Sequence, residues 1–481
     1  MAQKTTTRKL ETREDVITAL QYASVLEHTL CCEYLFTGFS IRRSLSDYPE
    51  PVDEEQKRQF QSAIDQARPW QTQIYFIARQ EMEHLAIATN LLAALGAPPF
   101  FKRPQFPVRK EMTLLSAPFC LERLSEIALK SFIWFERPTY LTESFPEGYL
   151  DRCKGQKKLV KSSGPTHKQV HEAFEKFGIT SVEQLYNEIM TAFQEIDATE
   201  LFQGDTQQQV GDVFGYKVYM KTITNRVEAV AAINLIIEQG EGIGLDPLTS
   251  DAHFQRFTQI LSEYKTAIKE APSGMPDPAL PVLMNPLTEK HKEFRTFKKN
   301  DCFNCAPNLI ERKHTRDLMV YFNECYNLMM LMLFDFFEYY VTPGPPASQQ
   351  SNAQTAKYYA AFFPLMTMVI RPLGEILARI PAGEEYPGQN AGASFEIDNK
   401  KMDEWPDLTE NKRLVEYYNW LGNLSEEAKQ FSKESEQMVM TNGGQVVMSA
   451  LEFQAKMDFL YENLHSTQIH LLNIWKEKYG E

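Results

Sequence analysis

Between residues 74 and 95 an apolar stretch carries two ionisable side chains on the face that should be buried. Ile74, Ile77, Glu81, His84, Ala88, Leu91 and Leu95 recur every three or four residues, the spacing of one inward stripe on an α-helix. A carboxylate and an imidazole turned toward a core are costly unless something pairs with them. Glu-x-x-His on one helix face is a known solution, because both groups can bind metal inside a helix bundle. The competing reading is a solvated charged face, since Arg79, Gln80 and Glu83 lie close by. What the other helices carry decides between the two.

The pattern recurs along the chain. Residues 14–40 predict a helix with the stripe Val16, Leu20, Ala23, Glu27, Leu30 and Tyr34, leaving Glu33 off the stripe. The helix over 54–95 is stopped by Gly96-Ala97-Pro98-Pro99. Another helix is expected within 114–136, opened near Pro118 and closed at Pro138, and a short amphipathic one over 181–196. Residues 216–241 predict the stripe Tyr216, Met220, Ile223, Val227, Ala231, Asn234, Glu238 and Glu241. Gly240, Gly242 and Gly244 break that helix, and Asp251-Ala252-His253 opens the next, with His253, Phe257, Ile260 and Tyr264 inward. A short antiparallel connection lets Glu238, Glu241 and His253 meet.

Glu27, Glu81, His84, Glu238, Glu241 and His253 then face one interior. Carboxylate-bridged two-metal sites in four-helix bundles use this inventory of four acids and two imidazoles. Hard carboxylates bridge and neutralise two divalent cations, and imidazoles suit iron. Without cations, four inward acids would repel one another. The residue three before His253 is Ser250, so Glu241 in the turn must supply the fourth acid. The alternative is a bundle with a few satisfied polar core residues. Tyr34 is a candidate catalytic neighbour of the metals or a packed core tyrosine.

The remainder of the chain bounds the setting. Its 481 residues allow one large or two ordinary domains, read as a metal-binding bundle over 1–275 and a helical region over 276–481 packed on it. Net charge is −14, which favours solubility and gives no basic patch for nucleic acid. The N-terminus has no apolar signal core. The most apolar run, 326–341, is interrupted by Asp335 and Glu338 and falls short of the roughly 20 residues a membrane span needs. A soluble, cytoplasmic protein is expected, and seven cysteines at irregular spacing fit a reducing compartment. Cys302-x-x-Cys305 lacks a second half, and His167 and His171 lack a carboxylate partner in sequence. Further helices are expected over 315–341, 353–380, 408–437 and 445–479, with Pro-rich or Gly-rich connections at 272–286 and 381–395. Leu328, Met329, Met332, Phe336 and Phe337 make the first of these rich in Met and Phe. That is ordinary core or the wall of an apolar substrate site.

Leu26-Glu27-His28, Glu81-Met82-Glu83-His84, Leu95-Gly96-Ala97-Pro98, Pro118-Phe119, Glu238-Gln239-Gly240-Glu241-Gly242, His253-Phe254 and Ala391-Gly392-Ala393-Ser394-Phe395 resemble the ferritin-like domain of the iminophenyl-pyruvate dimer synthase family. The likeness covers most of residues 15–400 in short motifs. It implies an all-α, ferritin-like four-helix bundle elaborated by C-terminal helices, with the six residues above as metal-site candidates. In size the chain also resembles the cyanobacterial dimetal-carboxylate halogenases of the cylindrocyclophane type. The resemblance implies two metal ions, Fe/Fe or Mn/Fe, with O2 and, for the halogenase reading, chloride. It further implies chlorination of an unactivated carbon on a fatty acyl chain held by a carrier protein, or oxidative coupling of amino-acid-derived imines. The coupling reading asks for a basic residue near the metals, and Arg226 lies a turn or more below them. Non-enzymatic iron binding or storage is the third reading. Expected partners are an apolar or carrier-bound substrate and, for assembly, a second copy in a homodimer, with neither nucleic acid nor membrane.

Overall fold

Thr12 starts the first helix, α1 (Arg13–Phe39), through a reciprocal cap in which its hydroxyl accepts the Asp15 amide and Asp15 accepts the Thr12 amide, each at 3.1 Å. The computed structural model describes residues 10–108, 113, 115, 117–141, 146, 179–204, 209, 222–240, 252–269, 275–289, 291, 307–338, 363–439 and 448–479. Helix α2 (Glu54–Ala94) is capped by Asp53 and ends at Gly96. Gly96 has φ +74°, a conformation that favours glycine, and the Ala97 amide turns back onto the Leu92 carbonyl at 2.9 Å. The Gly-Ala-Pro-Pro stop therefore acts as expected.

Helices α1 and α2 pack along each other. On one side lie α4 (Val182–Glu195), the short α5 (Ala198–Leu201) and α6 (Arg226–Gly240). On the other lie α3 (Glu126–Phe135) and α7 (His253–Lys269). Contacts of α4 with α6, α3 with α7, and both α6 and α7 with α2 tie the bundle together. Beyond it run α8 (Lys313–Glu338), a π-helical segment Leu365–Ile370 that continues into α9 (Arg371–Leu377), α10 (Asn399–Glu404), α11 (Glu410–Lys433), α12 (Ser435–Val439) and α13 (Ala450–Tyr479). One parallel pair of two-residue strands, β1 (Pro286–Leu287) and β2 (Asn308–Leu309), interrupts an otherwise all-α chain among the described residues. No helix among them is long and apolar enough to cross a membrane.

Two expectations need correction. The helix over 114–136 begins only at Glu126. Upstream, the Cys120 amide bonds the Glu33 carboxylate and the Leu121 amide bonds Asn285 Oδ1 at 2.8 Å, so side chains satisfy backbone groups that a helix would have paired. Helix α6 has the opposite phase to the stripe drawn through it. Ala229, Ile233, Ile236, Ile237 and Gly240 are buried, whereas Val227, Ala231, Asn234 and Glu238 are exposed. Tyr216, Met220, Cys302, Cys305, His167 and His171 lie outside the described residues.

A continuous apolar core runs from Leu10 to Ile474. The C-terminal elements enter it closely: a Cβ on Gly374 of α9 would stand 2.2 Å from the Phe39 ring of α1. Buried ion pairs fix the same contacts. Arg379 clamps both carboxylate oxygens of Asp47 at 2.8 Å. Asp335 on α8 takes bonds from Arg413 and Tyr417, each 2.7 Å, and from Trp405 at 3.1 Å. Burial nonetheless pushes Asp335 up to about 7. Removing one partner from a buried pair strands the other charge at a cost of ~3–5 kcal/mol. Asp47→Ala should lower unfolding stability by about that amount in denaturant titrations, and an unchanged midpoint would show the clamp to be idle.

Candidate metal centre

Five buried ligand-type side chains from four elements converge inside the bundle. Glu27 comes from the middle of α1, Glu81 and His84 from successive turns of α2, Glu136 from the C-cap of α3, and His253 from the first position of α7. They form two triads, Glu27–Glu81–His84 and Glu81–Glu136–His253, and within each the ligand atoms lie within 4.8 Å of one another. Glu81 belongs to both. Its Oε2 is 3.4 Å from His84 Nδ1, and its Oε1 is 2.8 Å from His253 Nδ1. Glu27 Oε2 stands 3.5 Å from His84 Nδ1, and Glu136 Oε2 stands 3.5 Å from His253 Nδ1.

The outer groups repeat this symmetry. His84 Nε2 meets Gln239 Oε1 at 2.9 Å, and His253 Nε2 meets Gln80 Oε1 at 3.2 Å. An amide oxygen only accepts, so each Nε2 carries hydrogen and a neutral ring offers its Nδ1 lone pair to the centre. Tyr186 donates to Glu27 Oε1 at 2.5 Å, and Tyr34 donates to Glu136 Oε1. Each end thus holds one glutamate steadied by a tyrosine and one histidine steadied by a glutamine.

The protein atoms alone leave this arrangement unsatisfied. Glu81 Oε1 and His253 Nδ1 are fully buried and paired 2.8 Å apart, and neither has a hydrogen-bond partner outside the carboxylates and imidazoles of the cluster. Two donor atoms aimed at common space suit a cation, and three carboxylates with two imidazoles suit a pair of divalent ions such as iron. Electrostatics agree. Burial, and then Glu81, push Glu27 up to about 8. Burial also raises Glu81, but His253 and the bonds from Glu27 and the imidazoles outweigh it and hold that carboxyl well below its ordinary range. Burial should depress both imidazoles. Instead the adjacent carboxylates lift His84 well above its usual value and His253 to about 9. Divalent cations among these groups would balance the same charge.

Four of the six predicted ligands meet here: Glu27, Glu81, His84 and His253. Glu238 does not. Its side chain is exposed on α6, and its neighbour Gln239 reaches the centre instead. Glu241 lies outside the described residues. The third acid of the centre is Glu136, which the sequence reading missed. A signal existed, because Leu129, Phe132 and Glu136 continue one helical stripe up to Pro138. Tyr34 touches the centre through Glu136, and burial followed by that carboxylate push its phenol well above the ordinary range. Glu33 points elsewhere and accepts the Cys120 amide. Arg226 is far from the ligands and fastens the end of α4 through the Phe193 and Ile196 carbonyls, at 2.7 and 2.6 Å.

Beside the centre lies a cavity of about 390 Å³ between α1, α2 and α8. Met82, Phe101, Met329, Met330, Leu333 and Phe337 give it apolar walls. Of the Met- and Phe-rich set on α8, Met329 and Phe337 line it, whereas Leu328, Met332 and Phe336 are buried without lining it. Cys31 lines the cavity too. Burial first, then the charges of Cys32, Glu81 and Glu27, push its thiol well above the usual value.

A family model described as Ferritin-like matches residues 20–262. The chain belongs to the ferritin-like family. It is 24% identical over 411 residues to dichlorochromopyrrolate synthase of Lentzea aerocolonigenes, covering 81% of this chain and 36% of that protein. It is also 24% identical over 419 residues to 2-imino-3-(indol-3-yl)propanoate dimerase of Chromobacterium violaceum, covering 82% of this chain and 35% of that protein. The chain thus spans about a third of the length of these curated relatives. A crystal structure of a ferritin-like protein from Caulobacter vibrioides aligns at 15% identity with a TM-score of 0.40, covering 74% of this chain and 98% of that one.

The shared carboxylate makes a sharp prediction for metal content after anaerobic loading with ferrous iron. The parent chain should hold two irons, Glu27→Ala and Glu136→Ala about one each, and Glu81→Ala close to none. Glu238→Ala should retain both, and its loss of iron would contradict the geometry.

Proposed function

We propose that this protein is a dimetal-carboxylate oxidoreductase that uses O2 to oxidise an apolar substrate. The observation that carries this reading is Glu81, one buried carboxylate whose two oxygens face two separate Glu/His sets. Glu27, Glu81 and His84 would hold one ion, and Glu81, Glu136 and His253 the other. When bound, a reduced metal pair of this kind supplies electrons to O2 and a strong oxidant for substrate.

The chain's own residues do the rest. Gln80 and Gln239 fix the ring faces of His253 and His84, so both Nδ1 atoms stay directed inward. Tyr34 and Tyr186 hold the outer oxygens of Glu136 and Glu27, leaving one oxygen of each directed at the centre. Tyr34 is thereby a positioning group for Glu136, one hydrogen bond from the proposed ligands. Met and Phe side chains give the cavity beside the site apolar walls, suited to an apolar substrate.

For the reaction type, the names of the two relatives, a synthase of dichlorochromopyrrolate and a dimerase of an indolyl imino acid, favour oxidative coupling of amino-acid-derived imines in specialised metabolism. Chlorination of a fatty acyl chain on a carrier protein is a second reading, favoured by the apolar cavity walls. Iron storage has less support, because Tyr34, Tyr186, Gln80 and Gln239 brace the centre from the inside of a closed core.

One assay separates the readings. Iron-loaded protein is given O2 with an aryl imino acid generated in situ, and in parallel with an acyl-carrier thioester, each with and without chloride. Oxygen uptake and a coupled product from the imino acid, indifferent to chloride, are expected. A chlorinated acyl product formed only with chloride would replace coupling with halogenation. No substrate-stimulated oxygen uptake in any arm would overturn the oxidase.

A further inference from the structure

Three arginines are buried among the described residues. Arg379 is clamped to Asp47, and Arg413 to Asp335 and Glu338. Arg103 is the exception: it is 0% exposed, and no carboxylate among the described residues pairs with it. Its Nη1 bonds the Pro104 carbonyl at 2.9 Å and its Nη2 the Phe395 carbonyl. Its Nε and Nη2 also donate to the Tyr326 hydroxyl, at 3.3 and 3.2 Å. The guanidinium packs 4.7 Å from the Phe106 ring centroid. Carbonyl and ring dipoles offset part of a buried positive charge, but an anion offsets far more.

That charge sits at one particular place. Tyr326 lines the cavity together with His28 and Cys32, all three buried, whereas Arg79 and Arg371 at the other end are half exposed. The deep end of an apolar chamber is therefore polar and backed by a cation. At the open end Arg79 and Arg371 are already paired, with Glu83 and Glu375. Deep in the cavity, His28 Nδ1 faces the Phe101 carbonyl at 3.1 Å, so it carries hydrogen and a neutral ring leaves Nε2 as the acceptor of the Tyr326 hydroxyl proton. Cys32 Sγ is 3.5 Å from the same hydroxyl. The phenol O–H is a rotor that can turn from His28 to a ligand while Arg103 still donates to its oxygen.

We propose that this cavity binds an apolar molecule bearing a single carboxylate, taken in anion first against Tyr326 and Cys32, with Arg103 as the counter-charge. The volume of about 390 Å³ suits a small organic ligand, since such pockets run from about 300 to 1,000 Å³. Cys31, one turn along α1 from Glu27, lines the cavity, whereas none of Glu27, Glu81, His84, Glu136 and His253 does, so the bound molecule lies beside the cluster without touching its ligands. As a substrate site this rests on the oxidase reading above. As a binding site it does not.

The test is calorimetric titration of the metal-free full chain with indole-3-propionate and with decanoate, each against its carboxamide, and iron uptake is measured on the same preparation. The acids should bind about tenfold or more tightly than the amides, the scale of one charge-assisted hydrogen bond. Tyr326→Phe and Arg103→Met should erase that preference, and Met330→Trp, which fills the cavity, should abolish binding of acid and amide alike. If Arg103→Met fails to fold, Tyr326→Phe tests the proposal by itself. Preference for indole-3-propionate or for decanoate identifies an aromatic or an aliphatic body, and either supports the proposal. Equal binding of acid and amide, binding that survives Met330→Trp, or no saturable binding overturns it. Acid binding without iron uptake would leave this site standing and remove the oxidase. Iron uptake without acid binding would do the reverse.

Discussion

Glu81 is the constraint around which the bundle is arranged. Its carboxylate is buried and negative, with one oxygen toward each imidazole. A buried charge of this kind is strongly unfavourable unless its surroundings are shaped to receive it. The surroundings here come from everywhere: α1 sends Glu27, the end of α3 sends Glu136, and the start of α7 sends His253. Helices α4 and α6 contribute Tyr186 and Gln239 from outside the cluster. Moving any one of these helices by a turn, about 5.4 Å, would leave a stranded acid or imidazole in apolar core. The polar centre fixes the register of the helices, and the apolar stripes supply the driving force that brings them together.

How far the sequence reveals this depends on contrast. Glu27, Glu81 and His84 stand out because each interrupts a long, strongly apolar stripe, and two full turns on either side settle which way it points. His253 stands out because it opens a helix whose next inward residues are Phe257 and Ile260, both buried. Helix α6 lacks that contrast. Val227, Ala229, Val230, Ala231, Ala232 and Ile233 are apolar on nearly every side, so periodicity leaves its phase open. Tracing the stripe through Glu238 selected the exposed face, and the neighbouring Gln239 is the residue that reaches inward. Glu136 was missed for a related reason. Only ten residues of helix precede it, and the backbone before them is held by Glu33 and Asn285 in a way no local pattern encodes.

The C-terminal half adds what the bundle alone lacks. Helix α8 supplies one wall of the cavity, and the 391–398 segment wedges between α8 and α1. Phe395, at φ +50°, lies 5.4 Å from Tyr326 and 6.3 Å from Phe39. Asn323 locks the next residue, Glu396, by accepting its amide at 3.1 Å and donating to its carboxylate at 2.8 Å. That wedge places the Phe395 carbonyl against Arg103. The Ala391–Phe395 motif was legible as a family likeness, but its role as a support for a buried cation depends on contacts hundreds of residues apart in sequence. Long-range loop contacts of this kind have no periodic signature.

The central claim is that one carboxylate is shared by two metal ions. Anomalous diffraction at the iron edge, from crystals of the iron-loaded chain, measures this directly. Two peaks roughly 3.5–4 Å apart are predicted, both in bonding reach of Glu81, one also beside Glu27 and His84 and the other beside Glu136 and His253. A single peak, or iron bound at a place Glu81 does not touch, would contradict the account.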